Sequence, residues 1–138
     1  MYEKYLSERD LTVVKKMGEE KQYVLTREKL TQLPYMALWG VQNKDVTPYI
    51  NKDIISKSYL VENKNLISKL DLRKNDKLKA TLLVVDEQII GGYLLITNTN
   101  VDEIPAGLGY SLTGGTIEEL SKESFQTWQS EWVSKYKD

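Results

Sequence analysis

The clearest pattern in the chain is a pair of apolar runs on either side of a short polar step. Lys79-Ala80-Thr81-Leu82-Leu83-Val84-Val85 leads through Asp86-Glu87-Gln88 into Ile89-Ile90-Gly91-Gly92-Tyr93-Leu94-Leu95-Ile96. Two runs of strand length joined by turn residues predict a β-hairpin. Because the runs are continuously apolar rather than alternating, they read as central strands, with helices packed on at least one face. Gly91-Gly92 within the second run marks either a bulge or a close approach to the backbone. A packed helix or a ligand would account for that approach.

Other periods flank this hairpin. Tyr2, Tyr5, Leu6 and Arg9 fall at helical spacing, with Tyr2, Tyr5 and Leu6 as the apolar face. A strand rich in β-branched residues follows over 11–17, and Gly18-Glu19-Glu20 makes a turn into a second strand over 22–25. Thr26 is placed to cap a short helix carrying Leu30 and Leu33, which Pro34 ends. The segment 35–42 is too apolar for a surface loop, and its end reads as a short strand with Trp39 and Val41 on one face. Residues 43–53 are turn-like around Pro48. The stretch 54–63 alternates as a strand, with Ile55, Lys57, Tyr59 and Val61 on one side.

The polar stretch 63–77 reads as a loop with one helical turn around Leu66 and Leu70, and 98–107 as a second loop. Residues 108–112 follow as an edge strand, then a turn at Thr113-Gly114-Gly115. Thr116-Ile117-Glu118-Glu119 matches a capping box, in which hydroxyl and carboxylate satisfy each other's backbone amides. Ser121 or Ser124 restarts a helix in which Phe125, Trp128, Trp132 and Tyr136 form an aromatic stripe that should pack on the sheet. The sum is an α+β fold: a single, mostly antiparallel sheet with helices packed on it and a long C-terminal amphipathic helix. Its 138 residues fit one domain, 1–138, because neither side of 63–77 has enough apolar residues for its own core.

Composition narrows the chemistry. Neither cysteine nor histidine is present, which excludes thiolate nucleophiles and metal sites, disulfides, histidine bases and Ser-His-Asp triads. No metal or other cofactor is implied, although carboxylates alone could hold Mg²⁺ or Ca²⁺. Nineteen basic and twenty acidic side chains nearly cancel. The basic residues of 64–79 (Lys64, Lys69, Arg73, Lys74, Lys77, Lys79) are broken by Asp71 and Asp76. That pattern argues against nucleic acid as a partner, since phosphate binding needs a net basic face. No stretch approaches the roughly 18 apolar residues of a membrane span, and the start lacks a signal-peptide core.

The remaining motifs are weak. Gly107, Gly109, Gly114, Gly115 and Thr116 precede a helix, where free amides could hold an anion. Their spacing matches neither phosphate-binding fingerprint, and turn and cap formation explains them. Asp86/Glu87, Asp102/Glu103 and Glu118/Glu119 are adjacent acids that diverge on a strand or helix, so they do not make facing catalytic carboxylates. Ser56-Lys57 and Ser68-Lys69 lack the Ser-x-x-Lys order and read as surface positions. No catalytic residue is assigned. Aromatic side chains do serve binding faces. The helical spacing of Trp128 and Trp132 assigns them to the core, whereas Trp39, in a short segment between Pro34 and Gly40, is expected to be partly exposed. Trp39, Tyr35, Gly91, Gly92 and Tyr93 are the candidate ligand-binding residues.

Several blocks span nearly the whole chain: Tyr2-Glu3-Lys4-Tyr5-Leu6, Leu33-Pro34-Tyr35, Leu38-Trp39-Gly40-Val41-Gln42, Val84-Val85-Asp86 and Ile90-Gly91-Gly92-Tyr93. Tyr110-Ser111-Leu112, Gly115-Thr116, Glu118-Glu119 and Trp128-x-x-x-Trp132-x-x-x-Tyr136 complete the set. With these the chain resembles a family of uncharacterised Bacillus-type extracytoplasmic domains, predicted lipoproteins of no assigned activity. The resemblance implies a leader peptide and a lipid-modified cysteine upstream, and hence a membrane anchor outside these residues; without them the chain would be cytoplasmic. The expected function is a non-enzymatic module at a Gram-positive cell surface that binds a protein, peptide or envelope ligand. Two alternatives stay open: a small hydrolase or lyase using carboxylates or tyrosines, and a cytosolic regulatory or scaffold domain.

Overall fold

The two apolar runs form the hairpin the pattern predicts, and the rest of the chain wraps around it. The computed structural model describes residues 1–18, 20–98 and 109–137. Five strands, β1 (Thr12–Lys16), β2 (Lys21–Val24), β3 (Asp53–Glu62), β4 (Asp76–Val85) and β5 (Gln88–Asn98), form one sheet with every pairing antiparallel. The order is β1-β3-β4-β5, and β2 also pairs with β3. Helices α1 (Tyr2–Ser7), α2 (Arg27–Leu30), α3 (Tyr35–Gly40), α4 (Lys64–Lys69), α5 (Ile117–Ser121) and α6 (Phe125–Tyr136), with a 3-10 turn at Thr47–Tyr49, complete the α+β fold. Among the described residues, no helix is long and apolar enough to cross a membrane.

Alternation along the strands sends side chains to two faces, and both faces are covered. Ile54, Leu83 and Val85 pack with Leu25 and Leu30, with Met36, Ala37 and Trp39, and with Trp128, Trp132 and Tyr136. On the opposite face Tyr59, Val61, Leu78, Ala80, Leu82 and Leu94 pack with Leu6, Leu11, Leu66 and Leu112. Burying a leucine of this kind stabilises the fold by about 1.5–3 kcal/mol, so two filled faces account for the absence of any staple. Ile55 and Lys57 share the second face with Tyr59 and Val61, as the alternation in 54–63 predicts.

Several expectations are corrected. The end of 35–42 is not a strand: α3 is a helix whose residues Met36 to Gly40 are all buried. A short apolar run fits a buried helix as well as a strand, and here the helix is covered on every side. The chain does not reverse between β1 and β2. β1 and β2 both run antiparallel to β3, pairing with its 59–62 and 53–56 ends, as one interrupted edge strand; Glu19 itself lies outside the described residues. The helical turn expected around Leu66 and Leu70 within 63–77 forms as α4, whose cap is Asn63, with its Oδ1 accepting from the amides of Asn65 and Leu66. Finally, β5 is outermost rather than central.

Within 108–112, Tyr110 makes only an isolated bridge to Leu94, so the described part of that stretch is no strand. Leu108, the 99–107 portion of the expected loop, and the Asp102/Glu103 pair lie outside the described residues.

The capping signals hold, although α2 ends at Leu30 and does not carry Leu33. Thr26 Oγ1 accepts from the Lys29 amide, Thr116 and Glu119 form the reciprocal capping box, and Ser124 caps α6. The hairpin turn places Asp86 (φ 50°) and Glu87 (φ 66°) in the left-handed region, the geometry a two-residue hairpin turn needs and one that favours glycine at its second position. Replacing Glu87 with glycine should therefore raise stability by up to about 1 kcal/mol in denaturant unfolding.

Gly40 behaves oppositely. A Cβ there would run into the Trp128 ring, which is rigid and cannot swing away. The gain of about 1 kcal/mol in helix propensity is smaller than an overpacking cost of up to about 3 kcal/mol. Gly40→Ala should destabilise the protein in the same assay.

Candidate binding site

The five candidate residues fall into two places. Trp39 and Tyr35 on α3 meet Tyr93 on β5 around a residue the sequence reading passed over, Tyr23 on β2. The Trp39 indole donates to Tyr23 Oη at 3.1 Å, and the Tyr23 and Tyr35 rings lie 4.9 Å apart. Trp39 is fully buried, at 0% exposure, which corrects its expected partial exposure. In the helix it points between the sheet and Tyr49, 6.0 Å away. A further polar thread runs beneath: Ser58 and Thr81 hydroxyls are 2.9 Å apart, and Thr81 is hydrogen-bonded to Tyr93. Ser56, expected at the surface, is instead buried on the same face of β3 and donates to the Lys21 carbonyl.

Burial dominates the acid–base behaviour of these tyrosines. It pushes Tyr93 up to about 12 against the weaker opposing pull of Thr81, and it raises Tyr23 further, although the Trp39 hydrogen bond works against it. Neither phenol is an ionised base near neutrality.

Gly91 and Gly92 sit apart, on the outer edge of β5. The register shift between Leu83 and Val84 leaves Ile90 as the extra residue of a bulge, and the Gln42 side chain fills the space where a Gly91 Cβ would stand. Its Oε1 accepts from the Gly92 amide at 2.9 Å and its Nε2 donates to the Gly92 carbonyl at 2.8 Å. The side-chain amide thus copies a neighbouring strand. Lys44 Nζ donates to the Ile90 carbonyl, and Tyr110 exchanges both backbone bonds with Leu94. Both alternatives raised for the glycines, bulge and close approach, hold, with Gln42 as the approaching group. Beside this closed edge lies an open hollow of about 310 Å³.

A second, larger groove of about 420 Å³ lies between α4, the segment after it and the adjoining ends of β3 and β4. Lys64, Arg73, Lys74 and Lys77 line it together with Glu62 and Asp76, and Val61, Ile67, Leu72 and Leu78 supply apolar surface. None of the four cations has an ion-pair partner among the described residues; the ion pairs found there involve Lys52, Lys57, Lys69 and Lys135. The charge pattern of 64–79 gives no hint of a groove, because the walls come from the helical turn expected around Leu66 and from strand ends that only the fold brings beside it.

Acids elsewhere are committed to structure. Asp45 accepts from the Thr47 hydroxyl and amide, from Tyr136 Oη and from Lys135, and the Thr47 contacts above all hold its carboxyl well below the usual range. The Thr116 amide lowers Glu119 within the capping box, and Lys57 lowers Glu20. One carboxyl is raised, Glu123, by partial desolvation and then by Glu131; neither acid lines either groove. Gly114 and Gly115 serve the turn before α5, where Ser111 Oγ accepts from the Gly115 amide. No family model, curated protein or solved structure matches the chain.

Tyr93 keeps its proton in the folded state after the unfolded chain, near its ordinary value of about 10, has lost its own. Its contribution to stability is therefore complete below about pH 10 and is lost as pH rises toward about 12. Tyr93→Phe should flatten the alkaline fall in melting temperature between those limits. An unchanged alkaline slope would show that Tyr93 is not held as described.

Proposed function

We propose that this chain is a non-enzymatic interaction module that works outside the cytoplasm at a Gram-positive cell surface, binding a protein, peptide or envelope ligand. The binding role rests on the α4–β4 groove, where four cations without ion-pair partners among the described residues surround apolar side chains. Charged groups left free at the rim of an apolar hollow are suited to steering and registering a partner. The surface location rests on the sequence resemblance carried by blocks such as Leu38-Trp39-Gly40-Val41-Gln42 and the closing aromatic stripe.

Two features weigh against the hydrolase alternative. Proton transfer requires a group poised near the working pH within reach of a substrate. Here the buried tyrosines are pushed far above neutrality, and the raised carboxyl of Glu123 lines neither groove.

The test uses the fluorescently labelled chain and isolated Gram-positive envelopes. Saturable retention is expected, with loss of most of it in Arg73→Glu/Lys74→Glu, whose substitutions are on exposed side chains and should leave the melting temperature within about 2 °C. Retention that is absent, or that never saturates, would refute the module reading.

A further inference from the structure

Resting on that reading, we infer that the α4–β4 groove takes a short extended peptide in which an apolar residue is flanked by acidic ones. Charge complementarity is the first argument. Four cations face two carboxylates in the lining, and one of the two, Asp76, already accepts the Arg73 amide at 2.9 Å. The net field of the groove is thus positive in a chain whose formal charge is −1, which draws acidic segments to this place rather than to the surface at large.

The apolar side chains add the second argument. Val61 and Leu78 are almost fully buried, at 4% and 2% exposure, and Ile67 stands half-exposed at 50%. Leu72, also in the lining, is intermediate. An apolar side chain laid against Ile67 and Leu72 removes both from water, and its acidic neighbours then reach Lys64, Lys74 and Lys77 on the rim. Each half of the recognition is modest alone, since exposed charge pairs contribute little. Together they select a mixed sequence over a purely acidic or a purely apolar one.

The same features disfavour other anionic partners. A membrane presents a continuous negative plane, to which Glu62 and the recessed floor are poorly suited. Single-stranded nucleic acid binds by stacking bases on aromatic rings, and among the described residues no aromatic side chain lines the groove.

Fluorescence anisotropy with a labelled 12-residue peptide of Asp and Glu around a central Leu is the direct test. Saturable binding is expected, weakened about tenfold or more by Lys74→Glu/Lys77→Glu, severalfold by Ile67→Ser, and severalfold by raising the salt to 0.5 M. Peptides with Leu replaced by Ser, or with Lys in place of the acids, should bind less well. Circular dichroism melts confirm that each variant folds. Equal binding of all three peptides, indifference to the Lys74/Lys77 reversal, or a preference for anionic vesicles or an oligonucleotide would overturn the proposal. Peptide binding that fails while envelope retention persists would refute this ligand class and leave the module reading standing; loss of both would refute both.

Discussion

The approach of α6 to α3 organises the molecule. Trp128 lies where a side chain on Gly40 would be, and from that contact an aromatic ladder continues along α6. The Trp128 and Trp132 centroids are 5.1 Å apart and those of Trp132 and Tyr136 4.5 Å. Each rung adds about 0.5–1.5 kcal/mol beyond the area it buries. The polar ends of the same rings are tied to earlier parts of the chain. The Trp132 indole donates to the Leu30 carbonyl at 2.8 Å. Tyr136 Oη accepts the Val46 amide at 3.0 Å and donates to Asp45. One helix near the end of the chain thereby seals one sheet face and holds α2, α3 and the segment before the 3-10 turn in place.

That seal decides where recognition can occur. It turns Trp39 fully into the core, with Tyr35 and Tyr93 half-buried against it, so most of the aromatic surface that would make an attractive binding face is spent on packing. The sheet edges are managed as well. Gln42, Lys44 and Tyr110 satisfy the outward backbone groups of Ile90, Gly92 and Leu94 in β5. The opposite edge is bulged between Val13 and Lys15 and carries Lys15, Lys16 and Lys21, devices that discourage strand addition. Among the described residues, the α4–β4 groove brings together cations without ion-pair partners and accessible apolar surface in one concavity.

Most of this architecture is legible in the residues, and the failures have physical causes. The hairpin, the caps at Thr26, Thr116 and Ser124, and the aromatic stripe are local patterns, and each forms as read. α3 was misread because six residues are too few to tell a buried helix from a buried strand by period. β5 was placed centrally because its composition reports covered faces; its edge is closed by a side-chain amide 50 positions away in sequence, which no local pattern encodes. The candidate site was the least legible part. Trp39 and Gly91 were singled out by residue type, and their burial depends on α6 and on Gln42. The helical turn around Leu66 is legible and forms as α4, but the groove also needs the ends of β3 and β4 beside it, which no local pattern encodes.

The central claim is that the sealed aromatic layer excludes ligands and that the α4–β4 groove receives them. Amide-resolved NMR during titration with an acidic peptide carrying one leucine tests it most directly. The account predicts shift changes gathered over residues 61–78, with Tyr23, Tyr35, Trp39 and Tyr93 undisturbed. Changes centred on those aromatic residues, or on Gly91 and Gly92, would contradict it.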